Sequence, residues 1–283
     1  MNKRTFMTAL ALGLPTYALA QQAQPAQAPK KHFVIGNSEI VPIQSKTTGN
    51  AHELIVIYPD SYWSSPNKTY PVLYFLDAYW NTPQMASAYG NLIYDKMVPE
   101  FIMVGLSNPD GTDHNKARMR DYTYTSMFLA PGSGGGDKFL QFIQKEVAPL
   151  IEAKYRGQKE NRVLAGGSLG GLFTLGAAFK DPDFFNGYIA LSPAVVWDGG
   201  AIFKAEEAFA KLNRPIKARM FISVGGLEPE GFRGPIEKFE QQLASHNIKG
   251  LELKTWVMQD LAHATVNGEG YIRGLKWVWE NRH

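Results

Sequence analysis

The stretch from Arg162 to Thr174, read Arg-Val-Leu-Ala-Gly-Gly-Ser-Leu-Gly-Gly-Leu-Phe-Thr, constrains this chain more than any other. It opens as a short apolar run suited to a buried parallel strand and passes through Gly166-Gly167-Ser168-Leu169-Gly170, which fits G-x-S-x-G. It then continues as an apolar segment to Phe179 that suits a buried helix. Strand, sharp turn and helix, in that order, give the motif its meaning. Without those flanks it would be a small-residue turn carrying a solvated serine. Such a turn holds the serine in a strained backbone conformation, at a cost of about 1–3 kcal/mol, and lifts its hydroxyl above the sheet. Glycine at 166 and 170 keeps a Cβ out of the place where strand and helix converge. Leu169, opening the helix, turns its N–H toward the same spot.

The rest of the chain reads as α/β. Its 283 residues, 45% of them hydrophobic, suffice for one sizeable core. Phe33–Ile35 with Ile40–Ile43, and then Glu53–Tyr58, predict an antiparallel hairpin at the sheet edge, with Gly49-Asn50 between them. Tyr70–Asp77 and Phe101–Leu106 are near-continuous apolar runs, the pattern of strands covered on both faces. Thr82 and Pro83 predict a helix start running to Met97. Asn108 to Asp137 reads as a long irregular region with a glycine run, and such segments are often functional. Asp137 is the expected cap of a helix with Phe139, Phe142, Ile143, Val147 and Ile151 on one face. Strands at Phe185–Leu191, Met220–Val224 and Leu251–Met258 then alternate with helices at Ala201–Leu212, Pro235–Ser245 and Tyr271–Glu280. Alternation of this kind implies one domain with a mostly parallel sheet and helices on both faces. Ligands of such sheets bind beyond the carboxyl ends of the strands.

The first residues read as an address. Lys3 and Arg4 precede an apolar core from Phe6 to Leu14, and Ala18-Leu19-Ala20 offers a signal-peptidase site. Residues 1–20 are therefore expected to be a signal peptide, and 21–31 a Gln/Ala/Pro tether too poor in apolar residues to fold. The expected destination is the periplasm or the exterior, with the folded domain spanning 32–283. Removing Lys3 and Arg4 changes 29 basic against 26 acidic residues to 27 against 26, so the net charge falls from +3 to +1. That balance offers no electrostatic case for nucleic acid or an anionic membrane. Cysteine is absent, which excludes disulfides, thiolate metal sites and a cysteine nucleophile.

A serine hydroxyl is a weak nucleophile at neutral pH. It needs an imidazole to take its proton and a carboxylate to orient that imidazole. On an α/β sheet the order along the chain is Ser, acid, His. Of six histidines, His32 and His52 lie in the N-terminal hairpin and His114 precedes the serine. His246 ends a helix and His283 ends the chain, which leaves His263, in the loop leaving the last strand. Glu228 is the first carboxylate beyond the strand ending at Val224, with Glu230 and Asp198 as the other options. The oxyanion of an acyl-transfer reaction needs two backbone donors. Leu169 is one, and Ala78 or Tyr79, after Leu76-Asp77, supplies the other. Tyr79, Trp80 and Trp197 follow strand ends and are candidates for the pocket wall. Arg120 is likewise expected at the substrate pocket, where pairing with Asp121 would pin the irregular region near the site. Neither a zinc motif nor a nucleotide loop is present, so the chemistry calls for no metal or cofactor.

With those residues assigned, the chain resembles the Putative esterase (esterase D-like) family of α/β-hydrolases. The resemblance runs from about Glu53 to the C-terminus. Its landmarks include Tyr70–Asp77, Arg120-Asp121-Tyr122-Thr123, Gly166–Gly171, Leu191-Ser192-Pro193-Ala194, Val224–Glu228 and Ala262-His263. It implies a carboxylic ester hydrolase with Ser168 as nucleophile, His263 as base and Glu228 as acid, acting on a small or oligomeric ester through an acyl-enzyme. An acyltransferase would use the same residues, and a silent binding protein would keep only the fold. Many members carry glycine where this chain has Ala78. A basic cluster of the kind that siderophore esterases place near the pocket is not evident in the sequence.

Overall fold

The computed structural model describes residues 34–280, so the expected signal peptide and the whole of the expected tether lie outside the described residues. From Ile35 onward the chain forms one compact unit. In chain order its elements begin with β1 (Ser38–Gln44), β2 (Ala51–Ile57), β3 (Tyr70–Phe75), α1 (Ala78–Tyr94), β4 (Ile102–Ser107) and α2 (His114–Asp121). Next come α3 (Gly136–Phe142), α4 (Ala148–Tyr155), β5 (Gly157–Gly167), α5 (Leu169–Lys180), β6 (Gly187–Leu191) and α6 (Ala201–Lys211). The last four are β7 (Ala218–Gly225), α7 (Glu230–His246), β8 (Leu251–Met258) and α8 (Val266–Trp279). The eight strands form one sheet in the order β1-β2-β4-β3-β5-β6-β7-β8. The β1–β2 and β2–β4 pairs are antiparallel, and every other pair is parallel.

Successive residues of a strand face opposite sides of the sheet, and the interior strands are apolar on both. Val72 and Tyr74 of β3 pack into one core layer, and Leu73 and Phe75 into the other. The first layer lies under α3–α7, and the second under α1 and α8. The expected edge hairpin is present, and Gly49 in its turn takes φ +75°. From β3 the chain moves outward to β4, then returns to place β5 on the other side of β3. That reversal opens a crevice at the carboxyl ends of β3 and β5, the place where sheets of this type bind ligands. Among the described residues no helix is long and apolar enough to cross a membrane.

Several boundaries differ from the sequence expectation. Helix α1 starts at Ala78, four residues before Thr82, and carries Pro83 in its interior. The region Asn108 to Asp137 contains α2, capped by the Asp113 side chain on the Lys116 N–H. Only Ala117 and Asp121 of α2 are buried, so no apolar stripe announced it. Asp137 does not cap α3; Gly135 precedes the helix, and Asp137 pairs with Lys180 at 3.0 Å. Between α3 and α4 the helix widens to a π-helical segment over Ile143–Val147. Helices α7 and α8 each begin five residues earlier than expected, at Glu230 and Val266.

On α7, Glu240 is largely removed from water, and one of its carboxylate oxygens has no partner among the described residues. Burial first, and the Glu237 charge second, push its carboxyl up to about 8. A group raised on folding contributes its stability below its unfolded value of 4.5, and that contribution is lost as pH rises through about 8. Glu240→Gln is therefore expected to flatten the fall in melting temperature between these two values. Thermal denaturation of both proteins across that range measures it.

Candidate active site

Ser168 stands between β5 and α5 with φ +57° and ψ −118°, outside the regions an L-residue favours. Conformations of this kind cost about 1–3 kcal/mol and persist only where the surroundings enforce them. Three backbone hydrogen bonds do so here. Ser168 N–H donates to Leu191 carbonyl at 2.9 Å, and the Ser168 carbonyl accepts from Leu172 N–H at 3.0 Å and from Ala194 N–H at 2.9 Å. The two flanking glycines act as the sequence implied. A Cβ on Gly166 would fall 2.6 Å from the carbonyl of Gly170, and one on Gly170 would press on Leu76 at 3.2 Å.

The loop after β8 carries His263 toward the same cavity as Ser168. His263 Nδ1 lies 2.8 Å from Glu228 Oε2, and the edge of one ring meets the face of the other where His263 packs on Phe232, 4.8 Å between centroids. These contacts fix the imidazole plane and leave Nε2 for the cavity. Glu228 itself is almost fully buried just beyond β7. Its second oxygen accepts from the Gly225 N–H at 2.9 Å and from the Ser192 hydroxyl. Burial raises the Glu228 carboxyl, but the hydrogen bonds from His263, Ser192 and Gly225 outweigh it and hold the group below its ordinary value. Glu228 is thus a fixed anion behind the histidine. Glu230 instead sits exposed in the first turn of α7 and pairs with Arg233, and Asp198 is exposed in a short turn after β6. Neither reaches His263.

The cavity has a volume of about 470 Å³. Ser168 and His263 line it without a direct hydrogen bond between their side chains, an arrangement common before substrate tightens such a site. Two helix N-termini meet there, those of α5 and α1. Leu169 is the first residue of α5, and Ala78 and Tyr79 the first two of α1. The opening N–H groups of a helix have no partner within it, and with the helix dipole they favour negative charge. Trp80 and Tyr79 also border the cavity, Trp80 largely exposed.

Two expected wall residues lie elsewhere. Arg120 does not border this cavity, because its guanidinium grips the buried carboxylate of Asp121 at 2.8 Å through two nitrogens. It is the Arg120 backbone that contacts the irregular region, its carbonyl accepting from Gly135 N–H at 2.8 Å. Trp197 lies over a separate apolar hollow between α5 and α6 and donates to Thr125 carbonyl. The position of Trp197 after a strand end carried no information on which side of α5 the chain would pass. The cavity wall is instead completed by α2, with Arg118 and His114, the latter set aside in the sequence for preceding the serine. Ser192 and Arg118 left a faint signal, since both fall in or beside stretches that carry the family resemblance.

Comparison with known proteins decides the family. The family model described as Putative esterase matches residues 45–250, well over half of the chain. The chain belongs to the Putative esterase family. This esterase is 28% identical over 213 residues to the ferri-bacillibactin esterase BesA of Bacillus subtilis, covering 69% of this chain and 72% of that protein. It is 23% identical over 225 residues to the apo-salmochelin esterase of Escherichia coli, covering 75% of this chain and 70% of that one. Among solved structures, the BES protein from Bacillus cereus superposes with a TM-score of 0.81 at 25% identity, over 90% of this chain and 99% of that one. The IroE-like serine hydrolase from Shewanella oneidensis follows at 0.78 and 25%, covering 86% and 80%. The esterase is a carboxylic ester hydrolase with the α/β-hydrolase fold.

The closeness of β5 and α5 at Gly166 gives a direct test. Gly166→Ala places a methyl group against backbone, which cannot rotate away, and is expected to cost about 1–3 kcal/mol or more. Urea denaturation of the variant beside the native protein reads that loss.

Proposed function

We propose that this esterase works through a Ser168–His263–Glu228 triad and an acyl-enzyme, and that it acts after export. One observation carries the reading: a strained serine, a histidine braced by a buried carboxylate and two helix N-termini all border one cavity. Ser168 Oγ attacks the ester carbonyl carbon while His263 Nε2 takes its proton, and the carbonyl oxygen gathers negative charge. The N–H of Leu169 and an N–H from Ala78 or Tyr79 receive that charge. Glu228 accepts from Nδ1–H, which keeps the imidazole in the needed tautomer and stabilises the imidazolium. Collapse of the tetrahedral intermediate breaks the ester C–O bond, and His263 returns the proton to the leaving alcohol. Water, activated by the same histidine, then attacks the acyl-serine and releases the acid. We assign water rather than a second alcohol as acceptor because the matching relatives are named esterases.

The relatives' names also point to the substrate class. Two matching proteins, from Aspergillus fumigatus and Emericella nidulans, are called siderophore esterases, beside the ferri-bacillibactin and apo-salmochelin esterases above. A cavity of about 470 Å³ walled by Tyr79, Trp80 and Arg118 suits a small-molecule ester with aromatic and polar groups. We assign the chain a siderophore ester as its substrate.

Removing the nucleophile in Ser168→Ala is expected to lower kcat/KM on a short-chain chromogenic ester by at least about 10⁴-fold. Glu228→Gln should lower kcat by on the order of 10⁴-fold, since the histidine then loses its orienting anion. Equal rates for Ser168→Ala and the native protein would remove the triad. Mass spectrometry of products from a siderophore triester and from simple acetate esters distinguishes the substrate class.

Export has its own check. Sequencing the N-terminus of protein recovered from the periplasmic or culture fraction should begin at Gln21. Recovery only from the cytoplasm, with Met1 intact, would count against it.

A further inference from the structure

Asp77 has a geometry that the proposed reaction leaves unexplained. It immediately precedes α1, where an aspartate ordinarily has an extended backbone and accepts from the second or third N–H of its own helix. Here φ is +55° and ψ 47°, in the left-handed region, and the carboxylate makes no capping bond. Both of its oxygens are instead held by Arg118 from α2, with Nε at 2.7 Å and Nη2 at 3.0 Å. The Asp77 N–H donates to the hydroxyl of Tyr122, just past the end of α2, at 3.3 Å. Trp80 and Asn81 N–H groups both donate to the Asp77 carbonyl at 3.0 Å. The first-turn N–H groups left over are those of Ala78 and Tyr79, the two assigned to the oxyanion.

We propose that Arg118 is a positioning residue that withholds the Asp77 carboxylate from its own helix, so that the Ala78 and Tyr79 N–H groups stay free for the substrate oxygen. A carboxylate one bond from a helix N-terminus is drawn there by the helix dipole. Tyr79 N–H, second in α1, is the donor it would take. The guanidinium fork opposes this in two ways, fixing both oxygens by parallel hydrogen bonds and neutralising a charge that would repel the developing oxyanion. Asp77 and Arg118 are both only partly exposed, at 17% and 26% of their side chains, so solvent screens the pair weakly. His114, one turn before Arg118 on α2, borders the same cavity. The role rests on the reading of Ser168 as nucleophile, and it explains why an aspartate is tolerated in a conformation better suited to glycine.

Kinetics of three variants on a short-chain ester test the role. Arg118→Met is expected to lower kcat by about 100-fold, the scale of losing an oxyanion donor, with KM changed less than about three-fold. Asp77→Gly, which takes the left-handed conformation freely, should stay within about ten-fold of the native kcat. The double variant should recover at least about ten-fold over Arg118→Met, because no carboxylate remains to occupy the donors. A double variant no faster than Arg118→Met, or a loss confined to KM, overturns the role and makes Arg118 a substrate contact. Should Arg118→Met not fold, Arg118→Lys, which keeps the charge and loses the fork, is expected to show an intermediate kcat at unchanged KM. A crystal structure of either Arg118 variant gives a readout independent of turnover. The Asp77 carboxylate bonded to Tyr79 N–H is the expected result, and a carboxylate that leaves Tyr79 N–H free overturns the proposal. Native protein that neither hydrolyses the ester nor takes a fluorophosphonate at Ser168 removes the triad and the kinetic role together, while the crystal structure still decides whether Arg118 restrains the carboxylate.

Discussion

The approach of β5 to α5 across the Gly166–Gly170 contact is the constraint on which the rest depends. No side chain fits in that gap, so the chain must reverse within one residue, and Ser168 carries the strain. Hydrogen bonds from the neighbouring β6 loop hold the serine in place, which ties the turn to the strand pairing of the whole sheet. Ser192, in that same loop, reaches Glu228, so the strand that braces the serine also braces the carboxylate behind His263. A single sheet end thereby fixes the relative positions of groups that lie almost a hundred residues apart.

Electrostatics at this end of the sheet follows from burial. Glu228 is kept ionised in a dry setting by three donors, which outweigh the cost of removing its charge from water. Asp77, close by, lies in the opposite balance. Burial leads and raises its carboxyl, although Arg118 and Tyr122 pull against that rise. Two carboxylates near one cavity are therefore held by different partners, one behind the histidine and the other beside the α1 N-terminus. The two helix N-termini supply positive potential without any mobile charge, which suits a site where negative charge develops on substrate oxygen.

Much of the fold was legible in the chain. Apolar runs at Tyr70–Asp77, Phe101–Leu106 and Arg162–Gly167 mark strands buried on both faces, because such strands need no alternation. Periodicity was blind to α2, whose His-Asn-Lys-Ala-Arg-Met-Arg-Asp sequence buries only Ala117 and Asp121. Pro83 misled the placement of α1, since a proline normally marks a first turn and here lies inside the helix. Arg120 and Trp197 were placed by their neighbours in sequence, and each turned to a partner away from the cavity.

The sequence by itself determined the succession of strands along the chain, the serine turn and the histidine and acids that could accompany it. Those features are local or follow from chain order, and local sterics and hydrophobic pattern leave a mark in residue types. Only the tertiary structure decided that Glu228 rather than Glu230 or Asp198 meets His263, that α2 walls the cavity and that Arg118 grips Asp77. These are contacts between side chains distant in sequence, set by how loops pass over a finished sheet. Backbone donors such as those of Ala78 and Tyr79 leave no residue-type signature, because every residue except proline carries the same N–H.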